Sequence, residues 1–334
     1  MKTGVLLLQL GTPDSPDVPD VRRYLAEFLG DPRVVDLPSP IRWLLLHGVI
    51  LRIRPRRTAE AYAKIWTEHG SPLLLHTQAL AEAVAERLGD GFQVAVGMRY
   101  KSPTIGGAVD RLLQAGCDRL VILPLFPQYS AAATGSALEA AMREVATRWN
   151  VPAVTTVVDF FDHPGFVRAV AAVARPLIES HRPDHLIFSY HGLPERQVRR
   201  SGPGWCLEKQ DCCRRVGEAN RFCYRAQCHA TTAALVEELG LDVPHTTAFQ
   251  SRLAGQRWIT PYTDRELDRL YREGVRRPAV LTPSFTADCL ETLEEIGIRA
   301  REQWRDLGGD ELLVVPCVNA SDVWADAVCD LVRT

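Results

Sequence analysis

The stretch Phe188-Ser189-Tyr190-His191-Gly192-Leu193-Pro194-Glu195 places a histidine where a short apolar run stops. His185-Leu186-Ile187-Phe188 reads as a buried strand, and Gly192 and Pro194 end it at once. His191 therefore stands at the carboxyl end of a strand, where open parallel α/β sheets bind ligands. An imidazole there can act as a base near neutral pH or as a metal ligand; the plainer alternative is that it fills a turn. A second candidate group is acidic. In Asp288-Cys289-Leu290-Glu291-Thr292-Leu293-Glu294-Glu295, a helical period brings Asp288, Glu291 and Glu295 within about 60° of one another, and Arg299 continues the line. Aligned carboxylates can relay protons or escort a divalent cation, although Asp288 with Glu291 also reads as a capping box.

The third group is thiol. Cys206, Cys212, Cys213, Cys223 and Cys228 lie in one short region with His229 adjacent, among residues too charged to form a core. The spacing C-x5-C-C-x9-C-x4-C points to metal ligation but lacks the C-x2-C knuckles of zinc ribbons. Cys117, Cys317 and Cys329 lie among apolar or helical residues and read as structural. The nine cysteines are an odd number, and the apolar start Val5-Leu6-Leu7-Leu8-Gln9-Leu10 is too short for a secretion signal. Reduced thiols and a cytoplasmic location are expected.

The elements that must position these groups alternate. Strand candidates are Val5 to Leu10, Gln93 to Met98, Leu120 to Leu125, Val154 to Phe160, Leu186 to Tyr190, Thr246 to Gln250, Ala279 to Thr282 and Leu312 to Val315. Helical patterns between them include Leu80 to Leu88, Gly135 to Trp149, Phe166 to Ser180 and Thr231 to Leu239. Such alternation predicts an α/β protein of two doubly wound (Rossmann-like) domains, each with a mostly parallel four-stranded sheet, facing one cleft. Residues 1–150 and 151–310 are the expected domains, with 311–334 returning to the first. The chain of 334 residues, 46% apolar and 24% charged, is long enough for two cores, and its net charge of −2 gives no attraction to nucleic acid. No run approaches the roughly 18 apolar residues of a membrane span. Neither a G-x-G-x-x-G after the first strand nor a G-x-x-x-x-G-K-[ST] loop occurs, which disfavours a nucleotide.

Two surfaces complete the reading. Residues 37–57 form an apolar lip whose Trp43 and flanking Arg42, Arg52, Arg54, Arg56 and Arg57 suit a membrane interface or a large flat ligand better than a buried core helix. Met98-Arg99-Tyr100 and Pro124-Leu125-Phe126-Pro127-Gln128-Tyr129-Ser130 close two strands, and Thr134 or Ser136 can cap the helix that follows. Aromatic and hydroxyl groups with an arginine at strand ends suit an extended acidic aromatic ligand.

Together S-Y-H-G-L-P-E, L-P-L-F-P-Q-Y-S, A-F-Q-S-R-L-A-G-Q-R-W of residues 248–258 and D-C-L-E-T-L-E-E resemble ferrochelatase in order and spacing. The resemblance runs from Val5 to the carboxyl terminus. It implies insertion of Fe²⁺ into protoporphyrin IX to give protohaem with release of two protons, the terminal step of haem biosynthesis. It also implies that His191 is the active-site histidine and Glu291 its partner carboxylate, both serving Fe²⁺, with Asp288 and Glu295 on the acidic line. Arg99, Tyr100, Tyr129, Ser130, Gln250, Ser251 and Trp258 match positions near the porphyrin or its propionates.

The chain departs from the family pattern at Cys289, where animal members carry histidine, and in the cysteine-rich segment 201–228, where it interposes Gly204-Trp205-Cys206 through Phe222-Cys223, which simpler bacterial relatives lack. The cysteine-bearing carboxyl-terminal extension of animal members has no counterpart. The insertion resembles the internal segment through which some bacterial ferrochelatases bind a 2Fe-2S cluster, which needs four of the five loop cysteines. Cys228 has a counterpart in relatives without the insertion and is the expected bystander. Zinc is the alternative occupant. Rival functions are a coproporphyrin III chelatase, a chelatase for another divalent metal, and a non-catalytic iron-sulfur or haem-binding sensor, which would not need both His191 and Glu291. Expected partners are the porphyrin and Fe²⁺, with peripheral attachment to the inner face of the cytoplasmic membrane, as a monomer or homodimer.

Overall fold

Val5, Leu6, Leu7 and Leu8 are fully buried, which two-sided covering by helices requires of a continuous apolar strand. They belong to strand β1 (Lys2–Gly11). In the computed structural model, which describes residues 2–203, 206–208, 211–252 and 256–333, β1 pairs in parallel with β2 (Phe92–Tyr100) and β3 (Cys117–Pro124), and β3 with β4 (Ala153–Thr156). The order is β2-β1-β3-β4. Leu6, Leu8, Leu120 and Ile122 pack on one face against Ala108, Val109 and Leu112 of the helix Ile105–Gln114. Each such side chain contributes about 2 kcal/mol of transfer free energy. Gly11 ends β1 at φ +115, a conformation that L side chains rarely adopt.

The second sheet has order β6-β5-β7-β8, again parallel, from β5 (His185–His191), β6 (His245–Gln250), β7 (Pro278–Leu281) and β8 (Leu313–Val314). Its residues alternate between two cores. Ile187, Ala248 and Val280 meet Leu267, Leu270, Ile296 and Trp304. Phe188, Tyr190, Phe249 and Leu281 meet Leu235 and Leu239 of the helix Tyr224–Leu239. Helices therefore cover both faces, as in a doubly wound sheet.

Two compact units result. One comprises 1–126, 131–159 and 325–334, and the other 127–130 and 160–324. The expected boundary at 150 falls one strand early, because β4 pairs with β3 through Arg119↔Ala153 to Ile122↔Thr156. The fourth strand also ends sooner than Phe160, since Phe160 donates its N–H to Pro127 and packs its ring on Phe166 and Trp324. Of the terminal segment 311–334, β8 stays in the second sheet, and only Ala325–Thr334 groups with the first unit. Gly204, Trp205, Lys209 and Gln210 of the insertion, and Leu253-Ala254-Gly255 of the 248–258 motif, lie outside the described residues.

Candidate functional site

β5 ends on His191, half-buried after six buried residues. Its Nδ1 lies 2.7 Å from the carbonyl oxygen of Gly192. A carbonyl has no proton to give, so in the neutral ring Nδ1 carries the hydrogen and Nε2 keeps the lone pair. Nε2 has no hydrogen-bond partner among the described residues, so it is the nitrogen that can accept a proton or a metal. Gly192 permits this turn: a Cβ there would lie 2.8 Å from the Gln250 carbonyl oxygen, to which the Gly192 N–H donates at 2.8 Å. Trp258 backs the turn, pairing with Pro194 in a short antiparallel bridge, and is buried.

Neighbouring strand ends supply the rest. Gln250 is the parallel-register partner of His191 and donates through Nε2 to the Glu291 carbonyl oxygen at 3.0 Å. It also accepts from the Ser189 hydroxyl at 2.7 Å, so its amide orientation is set by two partners. Gln250 thus ties the histidine strand end to the acidic segment. Glu291 opens a ten-residue π-helix, Glu291–Ala300, a rare form frequent at functional sites. Glu295 accepts from Ser251 twice, from N–H at 2.8 Å and from the hydroxyl at 2.5 Å, and Ser251 holds φ +66 to do so. A cavity of about 250 Å³ lies beside them, lined by Ser251, Arg252, Asp264, Glu295 and Arg299.

The expected acidic line is shorter than the helical period predicts. Asp288 precedes the helix and is buried, and its carboxylate accepts from the Thr292 hydroxyl and the Asn319 amide at 2.8 Å each. It anchors the loop after β7 and forms no capping box: the helix starts after Leu290 without a side-chain cap, and the Asp288 N–H donates to Asn319 and not to Glu291. Arg299 closes the outer end, 2.8 Å from Glu294 and 3.9 Å from Glu295. Cys289 and Cys317 are buried, and burial pushes both thiols well above their ordinary range.

In the first unit, Arg99 and Tyr100 turn their polar groups inward. Arg99 donates to Asp31 at 2.6 Å and to the Ser136 hydroxyl at 2.7 Å, and Tyr100 donates to Asp31 at 2.9 Å. Ser136 adds a 2.5 Å bond to the same carboxylate oxygen. Ser136 therefore serves Asp31 and does not cap a helix, and the guanidinium expected to meet a propionate is committed to an internal carboxylate. Asp31 was not singled out from the sequence; the turn signal Gly30-Asp31-Pro32 marks the position but not its partners. In the second unit, Tyr129 accepts a different task, donating its N–H to Gln227 at 2.6 Å with its ring against Phe222, and Ser130 is buried beside it.

The insertion brings four thiols into two pairs. Cys206 and Cys223 have sulfurs 3.9 Å apart, and Cys212 and Cys213 3.6 Å. These spacings bracket about 3.8 Å, the edge of a tetrahedron with metal–sulfur bonds of about 2.3 Å. Among the described residues no three His, Cys, Asp or Glu side chains are grouped to hold a metal ion. A hydrogen bond from Cys213 pulls the Cys223 thiol down and pushes that of Cys213 up, and Arg225 donates to the Cys213 sulfur at 3.1 Å. Cys228 is buried against the Tyr224 hydroxyl, and burial drives its thiol far up. His229 is held down to about 4 by burial and the Arg225 charge.

In the 37–57 segment Ile41, Trp43, Leu44, Val49 and Ile53 are exposed. No helix among the described residues is long and apolar enough to cross a membrane.

A family model described as Ferrochelatase matches residues 2–334. A curated ferrochelatase of Coxiella burnetii is 46% identical over 334 residues, spanning 99% of this chain and 93% of its own. One of Legionella pneumophila is 45% identical, spanning 100% and 99%. Among solved structures, the sirohydrochlorin chelatase SirB from Bacillus subtilis subspecies spizizenii in complex with cobalt aligns over 100% of this chain and 94% of its own, with TM-score 0.56 and 10% identity. SirB from Bacillus subtilis with Fe³⁺ aligns with TM-score 0.54 and 13% identity over 100% and 95%. At these identities the likeness is one of fold.

Proposed function

The chain belongs to the ferrochelatase family, and from that premise we propose that it inserts Fe²⁺ into protoporphyrin IX with His191 as the proton acceptor and Glu291 as its partner. Four metal–nitrogen bonds form and two pyrrole N–H bonds break, so one Fe²⁺ enters and two protons leave. The observation that carries this role is the Gly192 carbonyl bond, which leaves the Nε2 lone pair free while holding the ring. After Nε2 takes a proton, Nδ1–H keeps its acceptor, so the ring changes charge without turning. General base catalysis by a positioned imidazole contributes roughly 10²–10⁴-fold. Glu291 and Glu295, tied through Gln250 and Ser251, form the acidic route beside the histidine. The substrate reading is tested by steady-state turnover with the two porphyrins: protoporphyrin IX is expected to have the higher kcat/KM, and a higher value for coproporphyrin III would reverse it.

For the insertion, we propose Cys206, Cys212, Cys213 and Cys223 as ligands of a 2Fe-2S cluster, with Cys228 outside the set. When bound, the cluster would supply a one-electron redox centre. Its hydrogen-bonding support comes from Arg225 beside Cys213. Anaerobically purified protein is expected to absorb in the visible, to lose that absorbance in Cys223→Ala and to keep it in Cys228→Ala. A colourless wild type carrying stoichiometric zinc would contradict the assignment. The exposed apolar face of 37–57, edged by Arg52, Arg56 and Arg57, supports peripheral attachment to a membrane.

A further inference from the structure

The strand that carries His191 outruns its neighbour. β5 pairs with β7 only from His185↔Pro278 to Phe188↔Leu281, whereas its pairing with β6 continues to His191↔Gln250. In a parallel ladder the N–H and C=O of one residue face the same side. At the end of β5 the Gly192 N–H turns to β6, and the two polar groups of His191 face the side on which β7 has already stopped. Buried backbone groups need partners, and here two hydroxyls replace the missing strand. Ser284, three residues past the end of β7, accepts from the His191 N–H at 3.0 Å. Tyr224 donates its hydroxyl to the His191 carbonyl oxygen at 2.8 Å.

Tyr224 is well suited to hold that carbonyl. It is buried, it begins the helix Tyr224–Leu239, and its hydroxyl also contacts Ser284 and Cys228. Its chain neighbours belong to the thiol loop: Cys223 pairs with Cys206, and Arg225 donates to Cys213. Three consecutive residues thus join the thiol pairs to the peptide of His191.

We propose that Tyr224 is the positioning residue of His191, fixing the carbonyl of its peptide in place of the absent strand and making the aim of the imidazole depend on the loop that follows the strand. This rests on the assignment of His191 as proton acceptor. A displacement of the order of 1 Å at a reacting group costs up to about 100-fold in rate, so loss of one of the two anchors is expected to lower kcat on the order of tenfold.

The test compares Tyr224→Phe with Tyr190→Phe in anaerobic turnover of Fe²⁺ and protoporphyrin IX, with His191→Ala assayed alongside. Tyr190 is buried on the same strand, and its hydroxyl bonds Thr232 at 2.9 Å, away from His191, so its variant measures the general effect of losing a buried hydroxyl. The expected result is a fall in kcat at unchanged KM for the porphyrin in Tyr224→Phe alone, with similar losses of melting temperature in both phenylalanine variants. Wild-type kcat in Tyr224→Phe, or an equal fall in Tyr190→Phe, would overturn the positioning role while leaving His191 as the base. Full turnover in His191→Ala would overturn the reading beneath it as well.

Discussion

Asp31→Asn is expected to destabilise the first unit by about 2–4 kcal/mol, because it removes the charge around which a buried network is built. One carboxylate oxygen receives Arg99, Tyr100 and Ser136, and the other receives the Arg33 N–H at 2.7 Å. Asparagine keeps the shape but turns an amide donor toward donors, leaving a guanidinium and two hydroxyls short of an acceptor. For a unit of this size the loss corresponds to roughly 10 °C in Tm. The effect has a pH signature. Burial raises the Asp31 pKa, but the bonds from Ser136, the Arg33 amide and Tyr100, with the Arg99 charge, outweigh it, so the folded value lies below 3.8. A depressed carboxylate contributes stability that is full above its unfolded value and lost as pH falls through its folded value. The gap between wild type and Asp31→Asn should therefore be constant from neutral pH down to about 4 and narrow below it. Thermal unfolding followed by far-UV circular dichroism across that range measures it, and a gap that persists unchanged into acid would contradict the network account.

Much of the fold was legible because parallel strands buried on both faces are written as uninterrupted apolar runs, and all eight expected strands form. Errors sit where side-chain partners decide the outcome. Val157 to Phe160 continue the apolar pattern of β4, yet Phe160 leaves the sheet because its ring finds Phe166 on the next helix and Trp324, which is distant in the sequence. The helical period that aligned Asp288 with Glu291 assumed a helix already under way at 288; Thr292 and Asn319 bind Asp288 as an anchor before the helix begins.

The candidate site was legible in the same measure. His191 could be assigned to a strand end from local punctuation alone, since Gly192 and Pro194 are adjacent. Arg99 could not, because its charge looked available until Asp31, 68 residues earlier, supplied a partner. The sequence singled out Cys228 because relatives without the insertion carry it; what the structure adds is that it is buried against the Tyr224 hydroxyl. Tyr224 itself carried no signal, since the need for it arises from β7 stopping short of β5, a fact of register.

Replacing His191 with alanine tests the central claim most directly. The ring stands half-buried at a strand end, bonded through Nδ1 to Gly192, and the backbone anchors from Ser284 and Tyr224 do not use the side chain, so the fold should survive the change. Measured anaerobically with Fe²⁺ and protoporphyrin IX, His191→Ala is predicted to lose roughly 10²–10⁴-fold in kcat, with Tm and the visible spectrum of the thiol loop unchanged. Wild-type kcat in that variant would contradict the assignment of His191 as the group that takes the porphyrin protons.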